Sequence, residues 1–162
     1  MSYPEKEALH TLEAARPDVQ AGLRIIHADT RQLDAVRRLN VEIFEERRII
    51  NTLDRPDLLI LLAMVGDEAA GFKVGYRENR FAFYSAKGGI LPAYRRQGIA
   101  RRMLYEMMDY ARTGGYVRFA YDTFPNKHPG MTVLGLAEGF RVVKADYNAM
   151  YRDFRLRFEK KL

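Results

Sequence analysis

Gly88-Gly89-Ile90-Leu91-Pro92-Ala93-Tyr94-Arg95-Arg96-Gln97-Gly98-Ile99-Ala100-Arg101-Arg102 holds the most information in this chain. An apolar segment, Phe81–Leu91, runs into Pro92, which ends a strand. Helical periodicity then runs from about Gln97 to Thr113, with Ile99, Met103, Leu104, Met107, Met108 and Ala111 on one side, until Gly114-Gly115 stops it. The first turn of a helix exposes unpaired N–H groups at the positive end of its dipole, where acidic residues normally sit. This chain places Arg95, Arg96, Arg101 and Arg102 there instead. A bound polyanion would resolve that conflict. Gly98 would let the backbone approach such an anion, and Ala100 would leave room for it. The competing reading is a solvated, arginine-rich helix start.

Working outward, the pattern predicts helices over residues 3–16, 29–48 and 129–138, with Ser2, Pro4 and Glu5 as start signals for the first. Strands are expected at Leu23–His27, Leu58–Val65, Ala70–Arg77, Phe81–Leu91, Tyr116–Thr123, Arg141–Tyr147 and Ala149–Phe158. Gly66-Asp67 and Glu78-Asn79 mark the two turns of an antiparallel meander. The strand–helix–strand unit from Phe81 to Thr123 demands a parallel, right-handed crossover. The expected fold is therefore mixed α/β, with one sheet, helices on both faces, an N-terminal helix and linker (1–22) and a main domain (23–162).

Composition removes whole classes of function. At 162 residues the chain suits one main domain. It has no Cys, hence no disulfide framework, thiolate zinc site or cysteine nucleophile, which fits a reducing cytoplasm. His10, His27 and His128 are far apart in sequence, against a histidine metal cluster, so no metal is expected. Leu58–Val65 is the longest apolar run, eight residues and too short to cross a bilayer; no membrane partner is expected. The early acidic residues and missing apolar core argue against a secretory signal. The P-loop, dinucleotide and Gly-x-Ser-x-Gly signatures are all absent. The net charge of +6 favours an anionic partner. Nucleic acid is not expected, because the basic–aromatic alternation of Tyr151–Phe158 reads more simply as one buried and one solvated face.

Arg95-Arg96-Gln97-Gly98-Ile99-Ala100 resembles the Arg/Gln-x-x-Gly-x-Gly/Ala motif of the GNAT superfamily of N-acetyltransferases. Ile90-Leu91-Pro92 is similar to its hydrophobic-x-Pro strand end, and Gly139-Phe140 to the pair closing its last helix. Element order matches from Leu23 onward, and Phe81–Gly89 resembles a bacterial-type branch. The resemblance implies acetyl-CoA as co-substrate, bound by Ile90, Leu91, Arg95, Arg96, Gln97, Gly98, Ile99, Ala100 and Arg101. It also implies a bulge on the Phe81–Leu91 strand, with Gly88-Gly89 either that bulge or a simple loop. The Ile90 N–H would serve as oxyanion donor. An amine acceptor would attack the thioester directly, without a covalent enzyme intermediate. Asn126 would hold the pantetheine arm or act as a turn residue.

One departure stands out. Many members of the family carry a tyrosine, used as general acid, where this chain has Gly135. The substitute acid–base candidates are Tyr84, Asp122 and Glu46, with Glu42 and Glu45 beside the last; as alternatives, the first two are ordinary strand residues and the glutamates are solvated. An N-acetyltransferase, or a catalytically degenerate acyl-CoA-binding module of the same fold, are the two readings. The N-terminal helix and the last strand leave room for a homodimer.

Overall fold

A computed structural model provides the architecture, and the structure describes residues 19–162. The helix expected at residues 3–16 lies outside them. A helical turn, Val19–Gly22, leads into β1 (Leu23–His27). The remaining strands are β2 (Leu59–Val65), β3 (Glu68–Arg77), β4 (Ala82–Ile90), β5 (Arg118–Thr123), β6 (Arg141–Asn148) and β7 (Asp153–Lys161). They form a seven-stranded sheet in the order β1-β2-β3-β4-β5-β7-β6. The β4–β5 pair is parallel and its neighbours are antiparallel, as the crossover requires.

Among the described residues three helices cover the sheet: α1 (Leu33–Phe44), α2 (Ile99–Thr113) and α3 (Pro129–Ala137). Val36 and Leu39 of α1 pack on Leu62, Phe72 and Val74. Ile99, Met103, Leu104, Met107 and Ala111 of α2 pack on the opposite face with Leu61, Ala63, Phe83 and Phe119. The methionines are core filler, as their spacing implies. Alternation along β3 therefore turns Phe72 and Val74 toward α1 and Lys73 toward α2.

Several boundaries differ from the periodic reading: α1 starts at Leu33 rather than Asp29, the last strand runs on to Lys161, and two further differences have a clear local cause. Helix α1 stops at Phe44, because Glu45 is left-handed (φ 56°) and its N–H returns to the Val41 carbonyl at 2.8 Å. The last strand begins at Asp153, because residues 149–152 form the hairpin turn. There the Asn148 side chain accepts the Tyr151 N–H at 3.1 Å, and Arg152 has φ 51°.

Helix α3 lies on the α2 side through an unusually close contact. The Tyr121 and Phe158 rings stack with centroids 5.0 Å apart, and the Tyr121 hydroxyl donates to the Met131 carbonyl at 2.9 Å. A Cβ at Gly135 would overlap that hydroxyl outright and stand 3.0 Å from Phe158 Cδ1. The glycine is thus required by space. Gly135→Ala should cost about 1–3 kcal/mol in urea unfolding, and Tyr121→Phe in the same chain should recover part of that loss. Equal midpoints for Gly135→Ala and the unmodified protein would contradict this packing.

Candidate functional site

The site begins where β4 and β5 part. Their parallel pairing runs from Ala82–Arg118 to Ser85–Tyr121 and stops. On the other edge of β4 the register shifts at the same level: Val74 faces Lys87, whereas Gly75 faces Ser85, so Ala86 is the extra, bulged residue. Gly88-Gly89 is therefore neither the bulge nor a loop. Both residues are in register with Lys73 and Phe72, and they keep room for close neighbours. A Cβ on Gly89 would lie 2.8 Å from Ile43 Cγ2, and one on Gly88 3.0 Å from the Phe72 carbonyl oxygen.

Beyond Ser85, β4 thus has a free edge facing a widening gap. The Leu91 N–H donates to the Ala70 carbonyl at 2.8 Å. Antiparallel alternation then directs the N–H groups of Gly88 and Ile90 away from β3, into the gap. The Ile90 carbonyl points the same way and accepts Arg95 Nε at 2.8 Å.

A one-turn 3₁₀ helix, Pro92–Tyr94, carries the chain from β4 to the start of α2. Arg96 (φ 61°) and Gly98 (φ 82°) are both left-handed, and α2 has neither a side-chain cap nor an acid in its first turn. Only glycine adopts such a conformation without cost, so Arg96 carries strain that a function can justify. The Arg102 N–H returns to the Gly98 carbonyl at 3.1 Å, which leaves the N–H groups of Ile99, Ala100 and Arg101 without helical acceptors. The side chains of the arginine block diverge. Arg95 turns to the gap, while Arg101 Nε donates to Glu138 Oε1 at 2.6 Å. Gln97 Nε2 donates to the Ala93 carbonyl at 3.3 Å. What this combination can hold is an extended molecule with an anionic segment at the α2 start and a polar arm along the β4 edge.

The acid–base candidates divide sharply. Tyr84 and Asp122 meet across the sheet on the face away from α2, with the phenol donating to Asp122 Oδ2 at 2.6 Å. Burial first, and the Asp122 carboxylate second, push the Tyr84 phenol far above its usual range, so it stays protonated. Glu46 instead receives Lys87 Nζ at 2.8 Å on an exposed surface beside α1. Asn126 donates its amide to Asp153 Oδ1 at 2.9 Å, bracing the β5–α3 loop against the β6–β7 hairpin. His27 pairs with Glu106 at 2.9 Å on the surface. Among the described residues no group of acids and histidines could hold a metal, and no helix is long and apolar enough to cross a membrane.

A comparison with family profiles matches residues 23–131 to the acetyltransferase (GNAT) family. The chain belongs to that family. No curated protein matches it in sequence. Solved GNAT structures share the fold at low identity. An IAA acetyltransferase from Bacillus cereus is 16% identical with a TM-score of 0.75, over 86% of this chain and 99% of that one. A GNAT acetyltransferase from Elizabethkingia anophelis with acetyl-CoA bound is 16% identical with a TM-score of 0.73, over 87% and 99%. An Arabidopsis thaliana protein in complex with the bisubstrate analogue CoA-Ac-MVNAL is 16% identical with a TM-score of 0.74, over 87% and 99%.

Two further residues of this GNAT domain have unusual surroundings. His128 begins α3, and its ring meets Phe44 of α1 edge-on at 6.2 Å, bridging the two sides of the gap mouth. Burial, then the charges of Lys127 and Arg95, hold its pKa below the usual histidine value. Lys73 is the more unusual. It is 7% exposed on the α2 face of β3, and no acid or carbonyl meets its ammonium among the described residues. A lysine between Phe72 and Val74 was the available signal, since a charge in the middle of a buried strand has to be explained.

Burial alone lowers the Lys73 pKa from 10.5 to about 8. The folded protein releases this proton near pH 8 while the unfolded chain keeps it to 10.5, so stability rises with pH between those values. Lys73→Met should accordingly be more stable than the parent at pH 7, by an amount on the order of 3 kcal/mol. The difference should shrink as pH climbs through that window. Chemical denaturation of both proteins at several pH values measures it; a constant difference would refute the assignment.

Proposed function

We propose that this protein is an acetyl-CoA-dependent N-acetyltransferase that acetylates a primary amine, on a small molecule or a peptide, by direct attack. The observation that carries the reading is the free β4 edge continuing into the uncapped, arginine-flanked start of α2. The CoA diphosphate would rest on the N–H groups of residues 98–101, with Arg95 and Arg96 supplying charge. The pantetheine amides would pair with the backbone of Gly88 and Ile90 along the gap, and the Ile90 N–H would polarise the thioester carbonyl. The acceptor would enter over Tyr84 and Asp122, on the face of β5 that α1 leaves uncovered. Tyr84, held protonated, would orient the amine, and the Asp122 carboxylate would take up its positive charge. His128 stands at the same mouth, and its depressed pKa makes it a neutral acceptor for the amine proton near pH 7. The two neighbours solved with acetyl-CoA or a CoA-peptide analogue support this choice of ligands. The missing cysteine supports a route with no acyl-enzyme, and a cytoplasmic setting.

The second reading, an acyl-CoA-binding module without chemistry, draws on Gly135, where the usual proton donor is lost. The close packing of Tyr121 against that glycine gives the substitution a steric cause, which weakens it as a sign of lost activity.

Acetyl-CoA at a hundred times its Kd should stabilise the protein by about 2.7 kcal/mol, a rise in Tm of roughly 5–10 °C for a chain of this size. Arg95→Glu combined with Arg96→Glu should abolish that rise while leaving the unliganded Tm within a few degrees of the parent. Thiol release over a panel of primary amines separates the two readings. Binding with no CoA released above the buffer rate would favour the inert module, and no thermal shift at millimolar acetyl-CoA would defeat both.

A further inference from the structure

Lys73 is a buried charge whose partner is missing, and its position says what kind of partner would suit it. The side chain leaves β3 on the α2 face and leans over β4: its Cγ lies 3.2 Å from where a Cβ of Gly88 would stand. Gly88 is directly opposite it in register and turns its own N–H into the gap. On the other side, register places Leu61 of β2. The apolar stripe of α2 covers the same face; a Cβ on Gly75, two residues along β3, would meet Met107 Sδ at 2.8 Å. Neither flank nor the stripe offers a titratable group, so burial alone sets the state of this ammonium. A protein that keeps an unpaired lysine with nine-tenths of the residue buried tolerates a destabilising charge, and a ligand that brings a negative charge near it would remove that cost.

We propose that the Lys73 ammonium stabilises the CoA thiolate that leaves in acetyl transfer. The inference rests on the acetyltransferase reading of the gap. The diphosphate end of the cofactor belongs to the α2 start, on the face where Lys73 lies. An amine arriving over Tyr84 and Asp122 comes from the opposite face. Attack forms the C–N bond and breaks the C–S bond, and the electron pair of that bond stays on sulfur. The Lys73 ammonium keeps its proton and offsets the negative charge on that sulfur. The acceptor nitrogen loses one proton to the groups on its own side, and solvent gives one to the sulfur of the departing CoA, so the charges balance over a turnover. The other groups on the α2 face are less suited. Gly135 has no side chain, and the Tyr121 hydroxyl is committed to the Met131 carbonyl at 2.9 Å. A lysine pKa of about 8 leaves the ammonium charged at pH 7, where the leaving thiolate forms.

CoA itself, the product with its free thiol, is the probe. The thiolate has its own ultraviolet absorbance, and acetyl-CoA on the same protein provides a non-ionising blank. Bound to the full chain, CoA should ionise about one pH unit or more below free CoA, because the ammonium favours the thiolate. On Lys73→Met, or on Lys73→Gln as a second neutral replacement, the midpoint should return to the free value or above it, with CoA still bound. In amine acetylation, Lys73→Met should lose about 10²-fold or more in kcat with KM for acetyl-CoA little changed. CoA that binds and ionises no more readily than in water overturns the role of Lys73 and leaves the acetyltransferase reading intact. The same holds for a variant that changes KM alone. CoA that does not bind overturns both.

Discussion

The parallel ladder between β4 and β5 ends after one short run, and everything functional in this molecule depends on that ending. Two adjacent parallel strands would ordinarily satisfy one another's backbone along their whole length. Here the extra residue Ala86 bends β4 just past the Ser85–Tyr121 pair, and β5 continues instead with β7. The result is a strand edge inside a sheet, with its donors and acceptors turned into a gap rather than toward solvent at the rim. An unpaired strand edge is open to any polar chain that can complete its hydrogen bonds. Helix α2 starts at the mouth of the same gap because it is the next element after β4, so the edge and the uncapped helix terminus are consecutive consequences of one local geometry.

Charge is distributed around that gap with different purposes on its two sides. The C-terminal basic block is largely consumed within the protein: Arg155 is held by Asp146, Arg157 by Glu78 and Glu159, and Lys160 by the Glu138 carbonyl. The arginines at the α2 start are less uniform, since Arg101 is held by Glu138 while Arg95 lies on the gap. The net positive charge therefore overstates how much of the surface is available to an anion. What matters is the small part of it that neighbours free N–H groups.

Much of the architecture was legible because period and punctuation agree. The strands of the meander, the α2 stripe and the glycines after it form as their spacing implies. The misreadings have physical causes that pattern does not carry. Helical spacing continues past Phe44, yet the backbone turns left-handed at Glu45. Paired glycines in a strand suggest a bulge, but Gly89 answers to the crowding of Ile43 and Phe44 and Gly88 to that of Phe72 and Lys73, and the bulge falls on an alanine. Within the site, the motif residues at the α2 start could be recognised one by one. The meeting of Tyr84 with Asp122 depends on the parallel register, 38 positions apart in the chain, which a list of polar residues does not provide. Lys73 was passed over because it lies in a strand whose glycine-rich, apolar pattern invites no chemistry.

The contact between Gly135 and the Tyr121 hydroxyl has an evolutionary side. Two positions that cannot both be large are coupled through one volume, so the effect of a change at either depends on the other. A lineage could regain a side chain at 135 only after position 121 had shrunk, and shrinking 121 first opens a void against Phe158. Each order of steps passes through a less stable intermediate. The present arrangement is therefore a local trap in sequence space, in which a glycine on a helix is held in place by a ring on the strand beneath it.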